Sequence, residues 1–369
     1  MKGLVNDIGK KKLIIILGAF VGFIILVIVL LLVIHSMSGK TLSYKQIESK
    51  LTEAAKKYYS KNKDLLPQND GGQVTVDDTT LSSSDYLKPL SELVSDKEGI
   101  SCTGKVLVNY RNSKYRYVPL LDCGDAYKTE TLVSYIKKNE PKVFEGEGLY
   151  DMNSELVYRG ENPNNYIQFS GKIYRIVKIV DDKAVLILQD KFERSTWDNR
   201  YNIDRNGRDG INDYSVSRVK TNLATILEEE KLISNDDKML LAIHDLYVGK
   251  RGEEDSYNDG TLEKSMIDKD QYIGLLPLYD YLNASIDSLC RSAKTRNCSN
   301  YNYLDHFDYV WWLMTGDSNY SHKVFRATGG SIDSYGASNS YYLRPVIMLT
   351  NSALYAGGTG TEADPYLVK

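Results

Sequence analysis

From Leu13 to Ile34 the chain places 22 apolar or glycine residues in a row, directly after Lys10, Lys11 and Lys12. As a helix such a run measures about 33 Å, enough for a hydrocarbon layer of roughly 30 Å, and it is longer than the apolar core of a cleaved signal peptide. The pattern therefore predicts a transmembrane helix over residues 13–35. Residues 1–12, with Lys2 and the three consecutive lysines, are expected as a cytoplasmic tail, which sends the rest of the chain to the extracytoplasmic side. Cleavage within Ser36-Met37-Ser38-Gly39 would release the same ectodomain.

The period then changes. Ser43 and Gln46 form a capping-box pattern, and Ile47, Leu51, Ala54, Ala55, Tyr58 and Tyr59 recur at helical spacing, which predicts an amphipathic helix of about five turns. Breaking residues from Asn62 to Pro67 end it. Downstream, Lys105-Val106-Leu107-Val108 and Tyr115-Arg116-Tyr117-Val118 flank a turn at Arg111-Asn112-Ser113-Lys114, a hairpin pattern. Helix and hairpin together predict a small α+β stalk domain over 36–130, followed by a charged, partly helical connector over 131–148.

From residue 149 to 369 the pattern is mainly β. Tyr166–Phe169, Ile173–Val180 and Ala184–Leu188 read as strands joined by turns at Ser170-Gly171 and Asp181-Asp182. A helix is expected from Val216 to about Glu230 with Ser215 as its N-cap, and another over Leu276–Leu289. Arg344–Leu349 and Tyr366–Val368 return to strand. The expected fold class is α+β, in the order transmembrane helix, small helix-plus-antiparallel-sheet domain and larger outer domain.

Composition narrows the function. A formal net charge of −3 lacks the concentrated basic surface that nucleic acid requires. The 29 tyrosines supply rigid apolar faces with polar tips, suited to recognition surfaces and equally to strands and cores. The four cysteines fall as Cys102 with Cys123 and Cys290 with Cys298, without the spacing of a zinc ribbon or thioredoxin site, so two local disulfides are the simplest reading on an oxidising side. A bridge between Cys102 and Cys123 would close the hairpin they bracket.

Two resemblances bear on the architecture. The membrane run leading into a tyrosine-bearing amphipathic helix and a small sheet resembles the layout of type IV pilins and pseudopilins. It departs from them in opening Leu13-Ile14-Ile15-Ile16-Leu17 without an acidic residue. Further on, Tyr158-Arg159-Gly160-Glu161-Asn162-Pro163-Asn164-Asn165-Tyr166, Tyr174-Arg175-Ile176, Gly210-Ile211-Asn212-Asp213-Tyr214, Leu278-Tyr279-Asp280-Tyr281-Leu282-Asn283, Leu343-Arg344-Pro345-Val346 and the closing Gly360-Thr361 with Pro365-Tyr366 resemble an uncharacterised domain of bacterial surface proteins. That domain is similar to formylglycine-generating enzymes and the C-type-lectin-like fold. The resemblance implies a C-type-lectin-like outer domain over 149–369 and leaves its activity open, because fold alone does not fix function.

Enzyme chemistry finds little support in the motifs. Formylglycine-generating enzymes use paired cysteines near their C-terminal arginine strand, whereas Phe325 to Leu349 contains none. There is no Gly-x-Ser-x-Gly elbow, and His244, His306 and His322 are the histidines outside the expected membrane segment, residues 13–35. His244 follows the apolar run Met239–Ile243 and precedes Asp245, which fits a structural histidine and also a general base. Gly39-Lys40-Thr41 lacks the first glycine and preceding strand of a phosphate loop, and Gly357-Gly358-Thr359-Gly360 reads as a turn.

Two clusters remain as candidate sites. Asp204, Asn206, Asp209, Asn212 and Asp213 gather oxygen ligands of the kind calcium takes, although Arg205 and Arg208 oppose a cation and an Asx-rich turn explains the same residues. Trp197, Tyr320, Tyr335, Tyr341 and Tyr342, with Asp317, Asn319, Arg326 and Asn339 as hydrogen-bonding groups, form the expected ligand surface for a glycan or a protein. The adjacent Trp311 and Trp312 point to opposite faces of a strand, so at least one belongs to the core. The expectation is a membrane-anchored, extracytoplasmic surface protein that binds rather than catalyses, without a cofactor unless calcium binds. An extracytoplasmic enzyme and a structural component of a surface assembly are the competing readings.

Overall fold

A computed structural model describes residues 42–94, 99–256, 259–305 and 308–369. The expected transmembrane run lies outside them. Among the described residues no helix is long and apolar enough to cross a membrane. The longest helix among them, α1 (Tyr44–Lys61), carries charged positions such as Lys45, Glu53, Lys57 and Lys61 along its polar side, so burial on one face is the most it can offer. The expected fold class is corrected accordingly: the described chain is α+β, mostly sheet with few helices, and no spanning helix belongs to it.

The chain forms two compact units. Among the described residues, one comprises 42–58 with Val76–Lys105 and Leu121–Lys128; the other comprises Tyr59–Thr75, Val106–Leu120 and Thr129–Lys369. In the first unit α1 starts as its sequence dictates: the Ser43 amide donates to Gln46 Oε1 at 2.8 Å and the Gln46 amide to Ser43 Oγ at 3.3 Å, a reciprocal capping box. Ile47, Leu51, Ala54 and Ala55 are buried along one face, as their spacing requires. Two short helices, α2 (Asp78–Ser83) and α3 (Leu90–Leu93), contribute Leu81 and Leu90 to the same unit. Strands β1 (Gln73–Asp77), β2 (Thr103–Arg111) and β3 (Lys114–Asp122) form a sheet in that order. Between β2 and β3 the two turn residues Asn112 and Ser113 both have positive φ, the geometry that closes a tight hairpin. Cys102 and Cys123 are bonded at its base.

The second unit continues through α4 (Leu132–Asn139) into strands β4 (Gly148–Met152), β5 (Glu155–Arg159), β6 (Tyr166–Phe169), β7 (Lys172–Val180), β8 (Lys183–Leu188) and β9 (Arg194–Thr196). The turns at Ser170-Gly171 and Asp181-Asp182 again carry positive φ at both residues, so β6, β7 and β8 follow as antiparallel neighbours. Helix α5 (Arg218–Glu228) precedes β10 (His244–Tyr247), β11 (Ile267–Gln271), β12 (Ile273–Gly274) and α6 (Leu278–Ala284). The last strands are β13 (Trp311–Gly316), β14 (Lys323–Ala327), β15 (Ile332–Gly336), β16 (Ser340–Tyr342), β17 (Val346–Leu349), β18 (Tyr355–Gly357) and β19 (Tyr366–Val368). The larger sheet runs β12-β17-β8-β7-β6-β19-β18 with the β4-β5 pair attached to β7, and a five-stranded sheet runs β15-β14-β13-β16-β9.

Two helix expectations need correction. Ser217, not Ser215, caps α5, its Oγ accepting from the Lys220 amide at 3.2 Å. The chain first makes a tight turn over Tyr214–Val216, in which Asp213 Oδ1 accepts from the Ser215 amide. Helix α6 occupies only the first half of its expected span. Pro277 precedes it, and at Ser285 the backbone is extended, with Ser285 Oγ donating to the Asn300 carbonyl. Beyond lies the loop closed by the Cys290–Cys298 disulfide.

Candidate functional site

The five-stranded sheet brings part of the expected ligand surface together. Its register sets Trp312 opposite Arg326 and Arg326 opposite Asp333, so one row crosses β13, β14 and β15. Asp333 holds the Arg326 guanidinium through two bonds, 2.7 and 3.0 Å long. Because residues two apart share a strand face, Tyr335 lies beside this row, and the guanidinium carbon sits 3.8 Å from its ring centre and 4.6 Å from that of Tyr341. Trp312 meets Tyr341 edge to face at 4.9 Å and is itself fixed, its Nε1 donating to the Ser195 carbonyl. Burial lowers the Arg326 pKa, but the Asp333 bonds more than offset this and raise it. Tyr335 remains 43% exposed while its ring packs on this fixed cation.

Tyr342 takes another environment, as neighbouring strand residues must. It meets the Tyr309 ring at 5.5 Å, with Lys191 Nζ 5.2 Å and the Arg194 guanidinium 5.4 Å from its own ring centre. Together with Tyr341 these side chains line a groove of about 290 Å³. Lys191, Arg194 and Tyr309 were not expected there, since their positions in the chain carry no motif.

The other expected ligand residues serve the scaffold or stand apart. Trp197 is fully buried and its Nε1 donates to the Leu313 carbonyl, so it packs the core. Asp317 is also buried, its carboxylate accepting from the Asn319 amide at 2.9 Å and from Ser334 Oγ at 2.6 Å. Asn319 and Tyr320 are exposed on that loop, where Lys323 Nζ lies 4.0 Å from the Tyr320 ring centre. Asn339 closes the β15–β16 turn by donating to the Gly336 carbonyl. Trp311 and Trp312 are both core residues.

The candidate calcium ligands are divided among other partners. The Asn212 amide donates to the carbonyls of Asp317, Tyr320 and Lys323, while its oxygen accepts from Lys250. Asp209 pairs with Arg205, Asn206 accepts from Tyr201, the Asp204 amide is held by Asn202, and Asp213 caps the turn. Among the described residues no group of three or more His, Cys, Asp or Glu could hold a metal ion.

A second concavity, about 330 Å³, opens beside β7, β8, β10 and the start of α6. In its wall Lys178 meets Glu155 and Asp280 at 3.0 Å each and donates to the Tyr279 hydroxyl at 2.6 Å. Burial disfavours the Lys178 ammonium, and the attraction of Asp280, Tyr279 and Glu155 overcomes that and raises its pKa. Burial dominates at Asp280, whose pKa is raised although Lys178 draws it down. Tyr279 is likewise pushed up, by burial first and then by the Asp280 charge.

His244 borders the same cleft. Burial lowers its pKa to about 4, against the smaller pull of the Ala242 carbonyl and Asp245, so the ring is neutral at pH 7. Both ring nitrogens are closed to solvent and neither reaches a partner in full hydrogen-bonding geometry. Leaving such groups unpaired costs roughly 1 to 3 kcal/mol each. Asp245 instead accepts from the Asp270 amide, so its adjacency in sequence does not make a histidine–aspartate dyad.

His322 stacks edge-on against Tyr320 and has its pKa lowered by burial first, while His306 lies outside the described residues. All four cysteines are disulfide-bonded, Cys102 to Cys123 and Cys290 to Cys298. Arg344, from the Leu-Arg-Pro-Val motif, is fully buried and donates to the carbonyls of Leu188 and Leu304, tying the end of β8 to the loop before β13. Comparison with protein-family models, with curated proteins and with solved structures finds no match to this chain.

Proposed function

We propose that the chain is an extracytoplasmic binding protein whose five-stranded sheet recognises a glycan through Tyr335, Arg326 and Tyr341. The observation that carries this reading is the Arg326 guanidinium held by Asp333 against the rings of both Tyr335 and Tyr341, with Tyr335 open to solvent. Aromatic faces stack on the C–H side of a sugar ring, and fixed polar groups at the edge accept or donate to its hydroxyls. Asp333 and the exposed Asn339 and Ser340 supply such groups nearby. Because the guanidinium is already locked, little side-chain entropy is lost on binding. The two disulfides agree with an oxidising compartment, and the motifs of residues 149–369 resemble a domain of bacterial surface proteins.

The test is capture of purified protein on a glycan array beside an array of cell-surface proteins. Wild type should select glycans, and Tyr335→Ala should weaken capture by about tenfold or more with the melting temperature nearly unchanged. Selection of proteins alone would transfer the surface to a protein partner. Capture of nothing on either array would end the binding reading.

A further inference from the structure

Lys178 brings a primary amine against two carboxyl groups within the larger sheet, its Nζ lying 3.0 Å from Glu155 Oε2 and 3.0 Å from Asp280 Oδ1. We propose that this constellation is an autocatalytic cross-linking site, in which the Lys178 amine and the Asp280 carboxyl condense to an amide with Glu155 carrying the proton. The site is separate from the Tyr335 surface and does not rest on it.

Regular elements hold the reactants. Val157 on β5 pairs with Lys178 on β7, and Glu155, two residues before Val157, shares that strand face. Helix α6 carries Asp280 and is fastened to β5 by Arg159, which donates to the carbonyls of Asn283 and Ser285 at 2.8 and 2.6 Å. The Tyr279 hydroxyl accepts from Nζ at 2.6 Å and steadies the amine. Holding amine and carboxyl in contact makes their condensation intramolecular and removes much of its entropic barrier.

Burial sets the roles. It opposes both the Lys178 ammonium and the Asp280 carboxylate. Passing one proton from nitrogen to carboxyl turns this ion pair into a neutral amine and a neutral acid, with no net charge created in the interior. The Asp280 side chain is 5% exposed and that of Glu155 14%, with Lys264 3.8 Å from Glu155. Asp280 is therefore the electrophile, and the more open Glu155 carries the proton.

The reaction balances without an added reactant. The Nζ lone pair forms a bond to Asp280 Cγ, and one Cγ–O bond breaks. Two of the three ammonium protons leave with that oxygen as water, the first relayed by Glu155, and the third stays on the amide nitrogen. The cleft of about 330 Å³ bordered by Lys178, Glu155 and Asp280 gives the water an exit. The new bond closes the long loop between β7 and α6 and so restricts the unfolded chain.

The full chain is incubated folded at neutral pH, then reduced, digested with trypsin and weighed. Wild type should yield Ile176–Lys183, uncut after Lys178, joined to Asp270–Arg291 with the loss of one water, and fragmentation should place the joint at Lys178 and Asp280. Lys178→Arg keeps a cation without the amine and should give no joined peptide. Glu155→Gln should lower the joined fraction about tenfold or more. Wild type that yields only the separate peptides, a joint between other residues, or undiminished joining in Glu155→Gln would overturn the proposal. If a variant fails to fold, the wild-type peptides decide between these outcomes.

Discussion

Lys178 shows how a single residue changes the meaning of a strand. In the sequence it interrupts Ile176-Val177 and Ile179-Val180, and the run reads as plain β. In the fold it sits buried between Glu155 and Asp280, so removing it would strand carboxylates away from water. Lys178→Met should cost about 3 to 5 kcal/mol in denaturant unfolding, and adding Asp280→Asn should recover part of that loss. A loss below about 1 kcal/mol for the single change would show that the carboxylates reach solvent.

His244 carries the opposite kind of prediction. Its folded pKa, about 4, lies below the ordinary histidine value, so the folded state binds fewer protons than the unfolded one between pH 6.5 and 4. The stability it contributes is therefore complete above about pH 6.5 and is lost as pH falls toward 4, by up to about 3 kcal/mol. Carboxylates titrate in the same range, so the measurement is the difference between wild type and His244→Phe across it. Their difference in unfolding free energy should shrink by that amount on acidification, and parallel curves would contradict the burial of a neutral ring.

At the scale of elements, period and turn chemistry were readable where local sequence decides the outcome. The capping box of α1, the β2–β3 hairpin and the turns around β7 all depend on a few adjacent residues, and each formed where expected. The start of α5 was not readable, because Ser215 and Ser217 are equally good caps and the Asp213 turn chooses between them. Ser217→Ala should cost about 1 kcal/mol by thermal or denaturant unfolding, while Ser215→Ala should be close to neutral. The reverse order would move the helix start back to Ser215. The candidate site was legible only in part for a related reason. Tyr335, Tyr341 and Arg326 lie on strands whose register joins them, whereas Lys178, Tyr279 and His244 converge from separate segments and no spacing announces it.

Across the whole molecule, two short-range disulfides fasten loops that their own sequences bracket, and the tyrosine-rich composition divides between roles. Tyr158, Tyr174, Tyr214 and Tyr281 are fully buried, while Tyr335 and Tyr320 face solvent. That division explains why abundance alone did not identify a surface.

Whether the sheet face is the recognition surface is tested most directly by comparing Tyr341→Ala with Tyr342→Ala for glycan affinity and melting temperature together. Tyr341 stacks on Arg326 beside Tyr335, and Tyr342 turns to Tyr309 and Lys191. Tyr341→Ala should weaken glycan capture by about tenfold or more, beyond any change in the fraction folded, and Tyr342→Ala should leave it within about twofold. Equal losses that follow the melting temperature, or a loss confined to Tyr342→Ala, would contradict a recognition role for this face.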